Sequence, residues 1–185
     1  MNIFLIILLV IVVLIGIILM GALLLKDEYI VEKAITINKP RHEVFNYIKL
    51  LKNQEQYNKW VMTDPKALKE LRGTDGTPGA VYAWDSNNKQ VGKGEQEIKK
   101  ITEGERIDHE IRFQKPFEGT SFAHIITEPA SANQTTVKWV FRGLRNYPMK
   151  IVHLLFNLKK MLGKDLEISL INLQSVLENN PDRKS

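Results

Sequence analysis

His109 is the residue whose type and setting best fit chemistry. It alternates with Ile107, Ile111 and Phe113 along a stretch whose intervening positions are charged. This is the pattern of a β-strand with one apolar face. An imidazole on such a face could orient a ligand or move a proton, because its pKa lies close to neutral pH. The alternative is a core histidine that hydrogen-bonds a neighbouring group, and the sequence leaves both interpretations open.

Aromatic and amide side chains supply the other binding candidates. Gln96 alternates with Gly94 and Ile98, so its amide is expected to face inward, toward a ligand oxygen or a strand bulge. Aromatic residues of a sheet either fill the core or line a cavity, and both roles need the same inward direction. The predicted ligand-binding residues are Trp60, Trp84, Gln96, His109, Phe113, Trp139 and Phe141.

Few other residues predict chemistry. The chain has no cysteine and four histidines, at positions 42, 109, 124 and 153, and no two of them are spaced as a close metal-ligand pair. His124 alternates with Phe122 and Ile126, which makes it a second candidate for an inward imidazole. Phosphate-binding, zinc-protease and serine-hydrolase motifs do not occur. We therefore expect no metal, no cofactor and no nucleic-acid partner, and His109 remains the catalytic candidate.

The elements that must position these side chains are mostly strands. Residues Tyr29 to Asn38 alternate like a strand, and two short helical stretches lie between Pro40 and Lys59. About six consecutive strands are predicted between Lys66 and Gly143, separated by turn signals. Consecutive strands with short turns favour an antiparallel meander that packs one face against a helix.

The last predicted elements are two strands and a helix. The strands are Thr120–Glu128 and Thr135–Arg142, with a loop at 130–134 between them. A helical period then runs from about Tyr147 to Glu178, followed by a polar tail at 179–185. A curved sheet that wraps around one long helix usually leaves room between them, and that room is the expected ligand site.

The run from Ile3 to Leu25 holds 23 residues and no charge. A helix of that length reaches about 35 Å, which is enough to cross a hydrocarbon core of about 30 Å. A cleaved signal peptide would need a basic start and a small-residue cleavage site, and this run has neither. We therefore predict a transmembrane helix at residues 3–25.

Charge near this helix predicts the orientation of a single-pass protein in a bacterial cell membrane. Met1 and Asn2 carry no basic side chain, whereas Lys26, Lys33 and Lys39 follow the helix. Lysine and arginine close to a span favour the cytoplasmic side, so we expect a cytoplasmic domain.

A basic stripe marks the start of the predicted C-terminal helix, in residues 147–164. Its members are spaced by 3, 4, 3 and 4 residues and are Lys150, His153, Asn157, Lys160 and Lys164. Such a helix could lie on a membrane surface. The alternative is a helix that packs on the sheet and exposes a basic face to water.

Short segments between residues 29 and 178 resemble the SRPBCC superfamily, which includes START lipid-transfer domains and polyketide cyclase/dehydrase-like proteins. The segments are Val31–Pro40, Val44-Phe45, Trp60, Gly79–Trp84, Gly92–Ile98, Lys115–Glu118, Val137–Trp139, Gly163–Glu167, Leu170 and Leu173. The resemblance implies an α+β helix-grip fold, in which a curved antiparallel sheet of about seven strands grips a long C-terminal helix around an apolar cavity. A transmembrane helix before this domain is not part of that pattern.

Three functional hypotheses follow. The first is a membrane-anchored module that binds a small hydrophobic or lipid-like ligand between the sheet and the C-terminal helix. The second is a polyketide cyclase/dehydrase-like enzyme that uses a cavity histidine as general acid or base. The third is an interaction module whose cavity is filled by its own side chains.

Overall fold

The computed structural model describes residues 2–24, 26–144, 150–151 and 157–179. Its helices are α1 (Ile3–Leu24), α2 (Arg41–Ile48), a 3₁₀ helix (Leu51–Gln56), α3 (Lys59–Thr63) and α4 (Leu158–Glu178). Its strands are β1 (Glu28–Ile37), β2 (Leu68–Arg72), β3 (Val81–Asp85), β4 (Lys93–Thr102), β5 (Arg106–Lys115), β6 (Gly119–Ser131) and β7 (Gln134–Leu144).

The strands form one antiparallel sheet of seven, in the order β1-β7-β6-β5-β4-β3-β2. Strands β2 to β7 are neighbours in sequence and in space, as expected for a meander with short turns. β1 instead pairs with β7, the last strand. The three short helices between β1 and β2 therefore carry the chain from one edge of the sheet to the other.

Helix α4 packs on one face of the curved sheet. Its buried leucines recur at helical spacing, at Leu166, Leu170, Leu173 and Leu177. The helix runs in the same direction as β1. Lys33, in the middle of β1, pairs with Glu167 in the middle of the helix, and the backbone N–H of Asn38, just after β1, donates to Glu178 at the end of the helix. The predicted α+β architecture of a seven-stranded antiparallel sheet and a C-terminal helix is thereby confirmed.

The last hairpin differs from the prediction. Three of the five residues expected in a loop at 130–134 belong to strands, because Ser131 pairs with Gln134 and leaves a turn only at positions 132 and 133. The register shifts between Pro129 and Ser131. Proline lacks the N–H that a ladder needs, so an irregularity beside it is expected. The two strands continue to pair beyond this shift, as far as Ser131 and Gln134. The alternation of residues in the sequence did not reveal this continuation.

Part of the predicted C-terminal helix falls outside the described residues. Helix α4 begins after Asn157, whose side-chain oxygen accepts a hydrogen bond from the Lys160 amide. Residues 145–149 and 152–156 are not described. Lys150, Asn157, Lys160 and Lys164 of the predicted basic stripe are described, whereas His153 lies outside the described part. The same holds for Leu25 at the end of the predicted span and for residues 180–185 of the tail.

Helix α1 is built almost entirely from large aliphatic side chains. It has 22 residues and a mean hydropathy of 3.7, and it is the one described helix long and apolar enough to cross a membrane. Most of its side chains are exposed, which is unusual for a helix of this composition unless lipid or protein covers it.

Deleting residues 1–26 is expected to give a soluble monomer, because the apolar core that the described residues form contains no residue of that segment. Ala22 of α1 is buried but lies outside this core. Circular dichroism of the shortened protein should show mixed helix and strand signal. An insoluble product without strand signal would contradict both the domain boundary and its independent folding.

Candidate ligand-binding cavity

A cavity of about 220 Å³ lies between the concave face of the sheet and the helices. Its walls are mainly apolar and aromatic. The lining residues are Gln54, Asn58, Trp60, Val61, Ala67, Lys69, Tyr82, Trp84, Gln90, Val91, Gln96, His109, Ile111, Phe113, Ala123, Trp139, Phe141 and Leu162. The seven residues that the sequence singled out all line this one cavity, although their role in binding stays a prediction.

The cavity exists because a small residue occupies the centre of the sheet. His109 of β5, Ala123 of β6 and Phe141 of β7 stand side by side in the strand register. All three face inward and are almost completely buried. The methyl group of Ala123 fills little of the space between an imidazole and a phenyl ring, so the floor of the sheet is indented there.

Trp84 lies at the more exposed end of the cavity, with its ring close to the backbone of Gly94. A Cβ atom on Gly94 would come within 2.7 Å of the Trp84 ring, so only glycine fits opposite that ring without a shift. The indole N–H donates to the Val91 carbonyl at 3.3 Å, and Phe113 meets the indole edge-on at 6.2 Å between centroids. These contacts hold a half-buried aromatic wall in place.

Trp139 forms the opposite aromatic wall. Its ring makes edge contacts with Tyr57 and Trp60, at centroid distances of 6.1 and 6.4 Å. Trp60 also contacts Phe141 at 6.4 Å. Aromatic pairs in such orientations add to the stabilisation from burial, so this wall is part of the core as well as of the cavity.

Several buried polar atoms at the cavity have no hydrogen-bond partner in the part of the chain that the structure describes. They include both ring nitrogens of His109, the indole N–H of Trp139 and the side-chain amide nitrogen of Gln54. A buried polar group without a partner costs about 1–3 kcal/mol. Such groups in native proteins usually indicate a partner from outside the chain, a water molecule or a ligand.

His109 is neutral at pH 7 in this setting. Burial lowers the pKa of the imidazole to about 4, and the negative charge of Asp108 only partly opposes this effect. A neutral imidazole has one N–H donor and one acceptor nitrogen. The side chain can therefore both donate to and accept from a group in the cavity.

Three further lining residues, Tyr82, Gln54 and Asn58, were not predicted from the sequence. Tyr82 shares the inward face of β3 with Trp84, and the same alternation could have revealed it. Its hydroxyl donates to Glu55 at 2.8 Å, and burial with this contact raises the pKa of Tyr82. Gln54 and Asn58 bond each other at 2.8 Å and come from short helical turns, where no apolar period marks the inward side.

The outer face of the sheet carries the charges. His124, the second inward candidate, lies on this face, with its Nδ1 2.6 Å from Asp108. Glu95 and Glu97 also face outward, and both accept hydrogen bonds from Arg112. These contacts lower the pKa of Glu95 and of Glu97, and both shifts arise first from hydrogen bonds to basic side chains.

Comparison with known proteins shows the fold. No protein-family model matches the chain, and no curated protein matches it. Among solved structures, norcoclaurine synthase from Thalictrum flavum superposes with a TM-score of 0.60 at 10% identity, over 83% of this chain and 95% of that one. A protein from Mesorhizobium loti gives 0.60 at 14% identity, over 82% and 98%. The fold is the helix-grip fold.

The same helix-grip architecture extends to further solved structures. The Aha1 dimer from Colwellia psychrerythraea gives a TM-score of 0.57 at 12% identity, over 81% of this chain and 96% of that one. At such low identities the helix-grip match describes architecture and carries no activity with it.

The described part of this helix-grip domain offers little for catalysis. Three titratable side chains line the cavity, Lys69, Tyr82 and His109, and the hydroxyl of Tyr82 is already engaged by Glu55. No group of metal-ligating side chains occurs among the described residues. The described lining also leaves its volume unfilled, which does not fit an interaction module with a collapsed cavity.

Proposed function

We propose that this chain is a membrane-anchored module that binds a small hydrophobic ligand between the sheet and α4. The observation that carries the proposal is the cavity itself, which combines apolar walls with buried polar atoms of His109 and Trp139 that have no hydrogen-bond partner among the described residues. A ligand pocket typically has this composition, with apolar walls for affinity and a few polar groups for orientation.

The size of the cavity defines the class of ligand. An engineered cavity of about 150 Å³ in another protein binds benzene, so about 220 Å³ suits a molecule of one or two rings, or a short chain. The Trp139 indole can only donate, whereas neutral His109 can donate and accept. The best fit is an apolar molecule with one carbonyl or hydroxyl oxygen. A diacyl lipid would exceed the volume.

The proposal has two further parts, the membrane anchor and the superfamily. Helix α1 would keep the domain beside a membrane, with the domain on the cytoplasmic side because Lys26 and Lys33 follow the helix. The helix-grip fold agrees with membership of the SRPBCC superfamily, which the motif resemblance suggested. Binding without chemistry is the simplest use of a cavity with one neutral imidazole.

An enzyme is the second candidate, and His109 favours it. A buried imidazole that is neutral at pH 7 and free of hydrogen bonds can accept a proton from a substrate. Norcoclaurine synthase shows by its name that a helix-grip protein can be a synthase. General acid–base catalysis would need a second titratable group close to the same substrate atom. Loss of a measurable turnover in His109→Gln, with folding intact, would favour the enzyme.

Filling the cavity is expected to abolish binding. Ala123→Leu places three more carbon atoms in the indentation between His109 and Phe141, where a ligand would lie. We expect it to weaken binding of 2-naphthol, a two-ring probe with one hydroxyl, by at least about tenfold, or about 1.4 kcal/mol. Isothermal titration of the full chain in detergent measures the change.

The matched control is Ala83→Leu, the same substitution on the outer face of β3. Ala83 is partly exposed and neighbours Tyr82 and Trp84, which face inward. This variant should bind 2-naphthol as the original protein does. If Ala123→Leu binds 2-naphthol as tightly as the original protein does, the probe does not occupy the cavity.

A further inference from the structure

One end of the sheet lies where α1 joins the domain, and we call it the anchor end. In an antiparallel sheet the ends of successive strands line up along one side. The strand ends on this side are Glu28, Leu68, Asp85, Lys93, Lys115, Gly119 and Leu144, as the register shows. The opposite end carries the turns at residues 73–79, 103–105 and 132–133.

The half-buried part of the cavity lies toward the anchor end. Trp84, Gly94 and Phe113 form one row across the sheet, next to the final residues Asp85 and Lys115 of their strands. The more deeply buried lining, such as His109, lies further along the strands. The opening is therefore on the side from which α1 enters.

The tether between α1 and the anchor end is short. Leu24 is the last residue of α1 and Glu28 the first of β1, so four residue steps separate them. A fully extended chain covers about 14 Å in that distance at most. If α1 spans a bilayer, the anchor end cannot lie far from the surface of that bilayer.

Outside α1, five of the eight large apolar side chains that are exposed among the described residues lie at the anchor end, and the other three are Met62, Leu71 and Ile171. Leu68 is 77% exposed and Phe117, in the β5–β6 turn, is 59% exposed. Ile30, Leu144 and Met161 are also exposed and lie near the start of β1, the end of β7 and the start of α4. The turns at the opposite end contain only small or polar residues. This distribution suits a domain with one end in an apolar interface.

Basic side chains lie beside some of these apolar ones. An open groove between β1 and the start of α4 is lined by Lys159, Lys160 and Lys164, and Glu32 and Glu167 also line it. These three lysines and Lys115 of β5 have no ion-pair partner among the residues that the structure describes. Unpaired lysines beside exposed apolar groups complement a membrane surface that contains anionic lipids.

We propose that the anchor end docks on the bilayer that holds α1, with Phe117 and Leu68 entering the interface. The cavity then opens to the membrane, and its ligand arrives from the bilayer rather than from water. This inference rests on the proposed function and adds the source of the ligand. A membrane-soluble molecule with one hydroxyl or carbonyl oxygen satisfies both the cavity and the route.

The absence of cysteine makes a direct test possible, because a single introduced cysteine takes a fluorescent label at one site. Glu118→Cys puts the label beside Phe117, and Asn133→Cys puts it at the opposite end. The full chain is placed in nanodiscs of phosphatidylcholine and phosphatidylglycerol that contain a nitroxide-labelled lipid, and iodide serves as the aqueous quencher.

We expect the nitroxide lipid to quench the label at position 118 severalfold more than at position 133, and iodide to show the reverse order. Adding Phe117→Asp to Glu118→Cys should lower the lipid quenching, because a carboxylate resists entry into the interface. Equal lipid quenching at both positions would overturn the docking. Protection of position 118 from iodide without lipid quenching would also overturn it, since another protein would then cover that end.

Binding of 2-naphthol by the same labelled proteins in detergent separates the two proposals. If the probe binds but the label at position 118 behaves like that at position 133, the docking is wrong and the proposed function stands. If the probe fails to bind to the protein with an unaltered cavity, the proposed function itself fails.

Discussion

Replacing His109 with glutamine is expected to remove much of the loss of stability that the domain suffers in mild acid. The imidazole is 1% exposed, and neither ring nitrogen has a hydrogen-bond partner. Burial lowers its pKa to about 4 in the folded protein, whereas an unfolded chain has an ordinary histidine pKa of about 6.5. Glutamine has no proton to gain in this range.

The direction of the pH effect on stability follows from the difference in proton binding between the unfolded and the folded state. Between about pH 6.5 and about pH 4 the unfolded state binds a proton at position 109 and the folded state does not, so the free energy of unfolding falls as pH falls. At 1.36 kcal/mol per pKa unit, the full difference is about 3 kcal/mol. Asp108 and His124 are the titratable neighbours that act on this pKa, and both remain in the variant.

Urea denaturation of the domain at several pH values between 7.5 and 4.5 measures this effect. His42→Gln is the matched control, because His42 is exposed at the start of α2. The control should lose stability in acid as the original protein does, whereas His109→Gln should lose less. If the free energy of unfolding falls with pH in the same way for all three proteins, His109 takes up its proton in the folded state as readily as in the unfolded state, contrary to its burial.

Replacing Trp139 with alanine should have the largest effect on stability. The ring is 4% exposed and packs against Tyr57 and Trp60. Substitutions of buried Phe or Trp by Ala cost about 3–5 kcal/mol, because the removed ring leaves an enlarged cavity. Chemical denaturation of the domain, followed by circular dichroism because a tryptophan is lost, gives the change in free energy of unfolding.

Trp139→Phe is the control that separates packing from the indole N–H. Phenylalanine keeps a ring against Tyr57 and removes a buried donor without a partner, whose burial costs about 1–3 kcal/mol. We expect this variant to be much more stable than Trp139→Ala. If both variants lose the same free energy of unfolding, the indole N–H is hydrogen-bonded in the folded protein, and the packing of the ring alone does not explain the loss.

Strand alternation explains how far the site could be predicted from the sequence. Side chains two apart on a strand share a face, so His109 could be assigned to the same side as Phe113, and Trp139 to the same side as Phe141, before any strand pairing was known. The helix-grip architecture then brings these faces together. Alternation alone could not choose the inward side for His124, because Phe122 and Ile126 lie on the outer face with it.

Other features of the site depend on packing that no local pattern records. Ala123 creates the indentation only because it stands between His109 and Phe141 in the register. Gln54 and Asn58 reach the cavity from short helical turns. The position of the opening relative to α1 depends on the pairing of β1 with β7, because this pairing places the first strand of the domain beside the last one.

Native mass spectrometry of the full chain, extracted from its membrane in mild detergent, tests the central claim most directly. We predict that the protein carries a single small molecule, that Ala83→Leu carries it too, and that Ala123→Leu does not. The same set of masses for all three proteins would contradict a ligand in the cavity between the sheet and α4.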